Sequence, residues 1–559
     1  NKRKATYLVI AALLARSTGR PVKYIEDRSE NLMGLVHAAN QVMDISLALD
    51  GEGRILAMSV RDVVDEGANI LNPTIHSVLK LTNMHNCYAV PAVRFDGTAV
   101  LTNKCPSGPN RGIGKPFMCF AVERAVDLAA RRLGLDPAEI RRRNFIPASA
   151  MPYESPIGNI HDSGDHAATL AKALDMAGYD QLRREQESAR REGRLIGVGI
   201  AAAVEPNTLN LSAYTLMMGK TGRTDTSGVG EGALVRMEVD GSVRVALGDV
   251  PSGQGYQTVV AQIVADELGV TPDQVNVSAW FDSSSNPWLY CSGIFANKFA
   301  GTDVGAIVGA ARLVRDKILR VAGALCDAPP ASLMLRDGGV WRIGADAPLL
   351  SLAAVATTAY RDLLRLPAGE TPGLEARYYF VEPQANLISD DRRLRFQLTY
   401  SNSVHVVSTE VDPQTGAVKI LRYIIVHDCG REMNPLLVEG MVHGATAHGI
   451  GGTLLEELIY DEDGQFLTAS LMDYLKPTAL DVPTFEVGVI ESPSPFTALG
   501  AKGVGEGGSI PSLAAITNSV EDALRPFDIT LNSLPLTPRR VWEAITAARA
   551  RQRAPKGER

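Results

Sequence analysis

The chain has 559 residues, of which 45% are hydrophobic and 21% are charged, and its formal net charge is −7. This length exceeds what one hydrophobic core supports, so we expect a globular protein of two or more domains. The acidic balance and the lack of a long basic block argue against nucleic acid as a partner, and no apolar run of about 18 residues predicts a membrane span. The six cysteines form no C-x-x-C pair, which disfavours zinc or iron–sulfur sites here and suits a reducing cytoplasm.

The start of the chain is unusual because a basic segment, residues 1–4, leads without a turn into an apolar helix predicted over residues 5–15. A Gly/Pro stop and a strand-like segment, residues 22–25, follow it, whereas a signal peptide would need a small-residue cleavage site. We therefore expect this helix to begin inside a domain whose N-terminal portion is missing from the chain.

The remaining segments alternate between helical and strand patterns, which predicts an α+β architecture. Predicted strands cover residues 54–60, 242–247 and 417–426, and predicted helices cover residues 117–133, 167–177, 259–268, 304–322 and 435–458. Asp136 and Pro137 form a further helix start. A polar stretch over residues 147–165 is the best candidate for a domain boundary.

The segment with the clearest chemical content is residues 500–508, in which Glu506 is the only carboxylate within a glycine-rich run. Glycine allows another molecule to approach the backbone closely, so this pattern indicates a catalytic base beside a bulky cofactor. A helix predicted to start near Pro511 would place free N–H groups close by. The alternative is a tight turn whose glutamate only favours the helix dipole.

Two other loops precede predicted helices. In the first, Gln254 stands between Gly253 and Gly255 after a strand, and its amide can both donate to and accept from an oxyanion or oxo ligand. The second contains Asn110, Arg111 and Gly112, and it lacks the spacing of a nucleoside-triphosphate loop. For each loop, a plain structural turn is the alternative.

The order of these motifs resembles the large, molybdopterin-binding subunit of bacterial molybdenum hydroxylases in the xanthine oxidase family. The resemblance is carried by Asn110-Arg111-Gly112, Asp136 to Phe145, Gly253-Gln254-Gly255, Asn434-Pro435 and Gly503-Val504-Gly505-Glu506. It extends over nearly the whole chain. It implies two mixed α/β molybdenum-cofactor-binding domains, residues 1–160 and 161–559, with an N-terminal portion of the first domain absent.

The resemblance also implies site roles and cofactors. Glu506 would be the base that takes a proton from a hydroxyl ligand of molybdenum, and the metal would be held through the pterin and not by a side chain. The expected cofactor is the molybdopterin cytosine dinucleotide form, and 2Fe-2S and FAD centres are expected on separate partner subunits. The residues implied to contact the cofactor are Asn110, Arg111, Gly112, Gly253, Gln254, Gly255, Lys502, Gly503, Val504 and Gly505.

The reaction implied is insertion of water-derived oxygen at an electron-poor carbon of an aldehyde, a ketone-bearing compound or an N-heteroaromatic ring. Gly112 stands where carbon monoxide dehydrogenases carry a copper-binding cysteine, so carbon monoxide oxidation is not expected. Two alternatives stay open: a molybdenum-dependent hydratase that adds water to an enone, and a non-catalytic cofactor-binding fragment. A separate chain that supplies the missing N-terminal portion is a further expected partner.

Overall fold

The computed structural model describes residues 5–69, 75–210, 228–382 and 395–553, and the basic start of the chain lies outside them. Helices and strands are mixed throughout, as the α+β prediction requires. Within these ranges, no helix combines the length and the apolar character needed to cross a bilayer.

The first part of the chain forms a small sheet covered by helices. The sheet has the order β1-β2-β3, with β1 and β2 antiparallel and β3 parallel to β2. The predicted strand at residues 22–25 is wrong, because the structure has no strand between the first two helices, where no partner strand is available. The elements are α1 (Ala5–Thr18), α2 (Arg28–Gly34), β1 (Asn40–Leu49), β2 (Ile55–Asp65), α3 (Ile75–Thr82), β3 (Val93–Val100), α4 (Lys115–Leu133), α5 (Pro137–Asn144), β4 (Tyr153–Glu154) and β5 (Ile160–His161).

The second part begins with two helices and continues through three further sheets. Its elements are α6 (His166–Ala177), α7 (Tyr179–Arg191), β6 (Leu195–Leu209), β7 (Gly230–Met237), β8 (Val243–Leu247), α8 (Tyr256–Leu268), β9 (Val275–Val277), α9 (Val304–Leu325), β10 (Leu333–Arg336), β11 (Gly339–Arg342), β12 (Pro348–Ser351), α10 (Leu352–Tyr360), β13 (Glu375–Val381), β14 (Gln397–Val411), β15 (Val418–Asp428), α11 (Pro435–Leu454), β16 (Phe485–Val489), α12 (Ser512–Ala523) and α13 (Pro538–Arg553).

The sheet that supports the candidate site has the order β16-β15-β14-β6. Its two longest strands, β6 and β14, pair antiparallel over 15 residues each and are buried along nearly their full length. β6 is largely a run of apolar and small residues, as expected for a strand buried on both faces, whereas β14 is buried although many of its residues are polar. Helices α4, α6, α7 and α12 pack against this sheet, and α11 packs against α12.

A second sheet, β13-β7-β8-β9, packs against α8 and α9, and a three-stranded sheet, β10-β11-β12, lies beside α10. Helix ends follow local chemistry. The side chain of Asp136 accepts a hydrogen bond from the Ala138 N–H, as predicted, and the Asn434 side chain caps α11 by accepting one from the Leu437 N–H.

The stretch predicted as a domain boundary, residues 147–165, is packed into the protein. The Asn159 and Asp162 side chains are buried, and they accept hydrogen bonds from the backbone N–H groups of Phe396 and Tyr400. This segment is therefore not a free linker, and the division at residue 160 stays a prediction.

Candidate functional site

Glu506 lies in a turn that leads into α12. Its backbone carbonyl accepts hydrogen bonds from the Ser509 N–H at 2.9 Å and the Ile510 N–H at 3.2 Å, and Pro511 directly precedes the helix. The predicted helix start near Pro511 is therefore confirmed. The Glu506 side chain retains 15% exposure, so its carboxylate is accessible from one side.

The direct partner of the Glu506 carboxylate is the ammonium group of Lys115, which lies in the first turn of α4. Lys115 is buried, and its Nζ also donates to the Pro206 carbonyl at 2.9 Å. The pairing joins residues 391 positions apart, so no local sequence pattern could have revealed it.

A second carboxylate, that of Glu205, lies behind the loop and is only 2% exposed. Its Oε1 accepts a hydrogen bond from the Glu506 backbone N–H at 2.9 Å and another from the Asn297 side chain. Burial raises the pKa of Glu205 to about 7, with a further contribution from the nearby Glu506 charge, while Lys115 and Arg111 lower it. The sequence analysis missed Glu205, Asn297 and Lys115.

Arg111 connects the second predicted loop to the loop that carries Glu506. Its Nε donates to the Gly505 carbonyl at 2.5 Å, and its guanidinium also donates to the Met441 carbonyl of α11 at 3.3 Å. Burial lowers the pKa of Arg111 from its ordinary value. The Asn110 side chain accepts a hydrogen bond from the Arg111 N–H, which shapes the turn. The structure therefore brings Asn110-Arg111-Gly112 and Gly505-Glu506 together.

The glycines around Glu506 are closely approached by other parts of the protein, and their predicted contact with a cofactor stays a prediction. A Cβ on Gly503 would lie 2.4 Å from the Asn297 Cβ, and one on Gly507 would lie 2.7 Å from the Glu205 Oε2. Real Cβ atoms do not approach so closely. On the side where a side chain would stand, the run therefore lies against protein atoms.

Lys502 points away from Glu506. Its side chain is fully buried, with its Nζ 3.3 Å from the Asp428 Oδ1 and 3.1 Å from the Ser163 hydroxyl. Its backbone N–H donates to the Cys429 carbonyl at 2.7 Å. Both the ammonium and the N–H of Lys502 thus serve internal contacts, and its predicted contact with a cofactor stays a prediction.

The Gly253-Gln254-Gly255 turn precedes α8, as predicted. The Gln254 Oε1 accepts a hydrogen bond from the Ser252 N–H at 2.6 Å, and Gly253 has a φ of +96°, with no atom of the described residues within 4 Å of a Cβ built on it. No side chain caps the N-terminus of α8. Open space before uncapped helix N–H groups fits a phosphorylated cofactor.

Helix α11 contacts all three loops of the site, those that carry Gln254, Arg111 and Glu506. A Cβ on Gly255 would contact the Leu437 side chain, Arg111 bonds the Met441 carbonyl one turn later, and a Cβ on Gly508 would lie 2.6 Å from the Val442 carbonyl. Small residues also allow close helix packing in α11, where Gly449 faces Ser512 of α12.

A cleft of about 1640 Å³ opens beside Arg111. Its wall includes His448 of α11, for which burial lowers the pKa, Arg111 lowers it further and Glu456 raises it. The Tyr474 hydroxyl donates to the Glu456 carboxylate at 2.5 Å. Other lining residues near Arg111 are Ile113, Phe117, Phe120, Ser509 and Leu513.

Comparison with known families agrees with this arrangement. The model of the molybdopterin cofactor-binding domain matches residues 172–483, and a second model of the same description matches residues 1–145. The chain belongs to the molybdopterin cofactor-binding family. The predicted resemblance to large, molybdopterin-binding subunits is thereby confirmed, as is an α+β fold with two such domains.

Relatives of this molybdopterin-binding chain include several large subunits. The nicotine 6-hydroxylase large subunit of Paenarthrobacter nicotinovorans is 36% identical over 96% of this chain and 63% of the relative. The carbon monoxide dehydrogenase large chain of Hydrogenophaga pseudoflava is 31% identical over 96% of this chain and 64% of its own length. The chain therefore spans less than two thirds of these relatives, and the expectation of a missing N-terminal portion stays a prediction.

Among solved structures, quinoline 2-oxidoreductase from Pseudomonas putida 86 superimposes on the chain with a TM-score of 0.86 and 35% identity. The match covers 96% of this chain and 66% of that structure.

Proposed function

We propose that this chain is the catalytic molybdenum-cofactor subunit of a hydroxylase or dehydrogenase, with Glu506 as its base. The observation that carries the proposal is the position of the Glu506 carboxylate, which is partly exposed and held between Lys115, the Arg111 loop and the buried Glu205. A carboxylate held in this way is oriented, as a general base must be.

The other residues of the site would bind and orient. The N–H groups at the start of α8, with the open turn at Gly253 and the Gln254 amide, would hold the phosphorylated part of the cofactor. Arg111 would hold the Glu506 loop in position through its hydrogen bond to the Gly505 carbonyl. When bound, the molybdenum centre supplies the Lewis acidity and the two-electron redox chemistry that these side chains lack.

We further propose that the cofactor is the cytosine dinucleotide form and that electrons leave through 2Fe-2S and FAD centres on separate subunits in the cytoplasm. The relatives support separate subunits, since two of them are named as a large subunit and a large chain. The six cysteines, all free in the structure, agree with a reducing compartment.

For the substrate we propose an N-heteroaromatic compound, with aldehydes and ketone-bearing compounds as the other members of the predicted group. The names of two relatives support this choice, since one is a nicotine hydroxylase and one a quinoline oxidoreductase. The cleft beside Arg111 also offers aromatic and aliphatic walls at Ile113, Phe117 and Phe120. Gly112 has no thiol, which disfavours carbon monoxide as substrate.

The test compares Glu506→Gln with wild type in the purified complex, using a panel of N-heteroaromatic compounds and a dye that accepts electrons. We expect turnover to fall by about 10²–10⁴-fold, while molybdenum and released cytosine nucleotide stay at wild-type levels. Glu439→Gln, on the exposed face of α11, is the matched control and should keep full activity. Residual activity above a tenth of wild type would contradict the role of Glu506.

The same assay separates the alternatives. A hydroxylase reduces dye in step with product, whereas a hydratase forms product without reducing dye. A complex that contains no molybdenum would contradict the proposal and favour a non-catalytic fragment.

A further inference from the structure

Three different metal-ligand side chains lie close together, next to the buried Glu205 and the loop that carries Glu506. His427 is close to the end of β15, and Cys429 and Glu432 lie in the connection to α11. Their ligand atoms all lie within 4.8 Å of one another. His427 and Cys429 are 4% and 2% exposed, whereas Glu432 reaches the surface and would provide an entry path.

The distance between the His427 and Glu432 ligand atoms fits coordination of a shared metal ion better than a direct hydrogen bond. The His427 Nε2 is 3.6 Å from the Glu432 Oε1, which is too long for a hydrogen bond. Two ligands of one tetrahedral zinc ion lie about 3.3–3.6 Å apart, given bonds of about 2.0–2.3 Å.

The electrostatic surroundings also favour a cation. The Glu432 and Asp428 carboxylates lie beside Cys429. The nearest ammonium, that of Lys502, is already engaged with Asp428 and Ser163. A divalent ion would offset the acidic charges and would favour the thiolate, because metal binding releases the thiol proton.

We propose that His427, Cys429 and Glu432 bind one Zn²⁺ ion. Neutral imidazole, thiolate and carboxylate are the ligands that zinc prefers, and three protein ligands leave the fourth position to water. The His427 Nδ1, which is buried and has no hydrogen-bond partner among the described residues, is the ring nitrogen that faces away from Glu432.

The ion would stabilise the base of the catalytic loop. The Cys429 carbonyl accepts the Lys502 N–H at 2.7 Å, and the Gly500 carbonyl accepts the Arg431 N–H at 3.2 Å. The zinc-binding connection is thus paired directly with the residues that precede Glu506. A zinc ion there would hold the start of this loop without touching the reacting atoms.

Another candidate cluster, formed by Glu231, Asp249 and Asp303, is less suited to a metal. It already contains an internal cation, since the Lys298 Nζ is 2.7 Å from the Glu231 Oε2. An ammonium in that position competes with an added ion.

The test uses the whole complex, stripped with a chelator, incubated with Zn²⁺ or Co²⁺ and desalted. We expect one zinc per chain to be retained, a thiolate-to-cobalt charge-transfer band with Co²⁺, and a higher thermal midpoint with Zn²⁺. Cys429→Ser should remove the band and the retained zinc. Cys326→Ser, at a free and partly exposed cysteine, is the matched control and should retain both.

Glu432→Gln provides a second variant whose side chain reaches the surface, so it should fold even if Cys429→Ser does not. Its zinc affinity should fall at least tenfold. The proposal is overturned if wild type retains no more zinc than Glu432→Gln, or if Co²⁺ binds without the thiolate band. Neither readout depends on molybdenum or on turnover, so the result is independent of the proposed function.

Discussion

Two carboxylates, those of Glu205 and Glu506, share the ammonium group of Lys115. Lys115 bonds the exposed carboxylate directly and lowers the pKa of the buried one. Burial and the charge of Glu506 raise the pKa of Glu205. They outweigh the effect of Lys115, since the pKa of Glu205 is about 7. The two carboxylates therefore differ in accessibility and in environment. The buried Glu205 is suited to hold a proton, whereas the partly exposed Glu506 is placed to act as the proposed base.

The raised pKa of Glu205 makes a prediction about stability. Its folded-state pKa of about 7 exceeds its ordinary value of 4.5, so its protonated form is favoured in the folded protein. The stability associated with this group is complete below pH 4.5 and is lost as pH rises through 7. Glu205→Gln, which cannot ionise, should therefore gain thermal stability relative to wild type as pH rises across this window.

The measurement is the thermal midpoint of both proteins between pH 4.5 and 8. A control with the opposite sign is Glu370→Gln, because Arg320 lowers the pKa of Glu370. The stability contributed by the Glu370 carboxylate is lost as pH falls. The change in thermal midpoint should be small, because the pair of Glu370 and Arg320 is exposed. Parallel curves for wild type and Glu205→Gln would contradict the pKa assigned to Glu205.

At the scale of elements, α11 is the support on which the three loops of the site converge. The contacts depend on small residues, because bulky side chains would hold α12 and the loops away from the helix. A Cβ on Gly449 would lie 2.3 Å from the Ser512 Cβ, whereas one on Gly440 would meet no atom within 4 Å. The same substitution at two glycines of one helix therefore has opposite expected effects.

Gly449→Ala should destabilise the protein by about 1–3 kcal/mol, because α11 and α12 must separate to admit the methyl group. Gly440→Ala, at an exposed position of the same helix, should stabilise it by about 0.5–1 kcal/mol through its higher helix propensity. Denaturant unfolding of both variants measures the difference. Equal effects of the two substitutions would show that the α11–α12 contact is not tightly packed.

The elements themselves were largely predictable, because their signals are local. The pattern over residues 117–133 corresponds to α4 (Lys115–Leu133), residues 304–322 to α9 (Val304–Leu325) and residues 435–458 to α11 (Pro435–Leu454). The strand over residues 22–25 failed because a β-favouring pattern needs a neighbour that the sequence does not reveal.

Prediction of the site was limited in the same way. Glu506 and Arg111 stand out within motifs, but Glu205 and Lys115 reach them over separations of 301 and 391 residues. The structure places Asn297 and Glu205 against the glycines near Glu506, and the predicted contact of these glycines with a cofactor stays a prediction. Periodicity cannot supply such partners.

At the scale of the whole molecule, the two family-matched regions share one hydrophobic core. Residues of α4 pack in the same cluster as residues of β6 and β14. Polar contacts cross the same boundary, since the Glu123 carboxylate accepts the Ala202 N–H at 3.0 Å and the Arg124 guanidinium donates to the Asn518 side chain at 2.7 Å. The shared cluster includes Met118, Val122, Val126, Ile200, Val204, Tyr400 and Val404.

This shared core predicts that the first region and the central sheet unfold together. The chain has four tryptophans, Trp280, Trp288, Trp341 and Trp542, and all follow residue 160. Val122→Ala, at a fully buried position of α4, should cost on the order of 2 kcal/mol. If unfolding is cooperative, tryptophan fluorescence should report a lower midpoint although the substitution lies in the other region, and far-ultraviolet circular dichroism should give the same midpoint.

The control is Val42→Ala on the exposed face of β1, where the side chain is 68% exposed and the midpoint should hardly change. An unchanged fluorescence midpoint in Val122→Ala, with an earlier transition seen only by circular dichroism, would mean that the two regions unfold separately. Cooperative unfolding would instead make the position of Lys115 against Glu506 depend on the whole core, because α4 carries Lys115 at one end and Val122 two turns later.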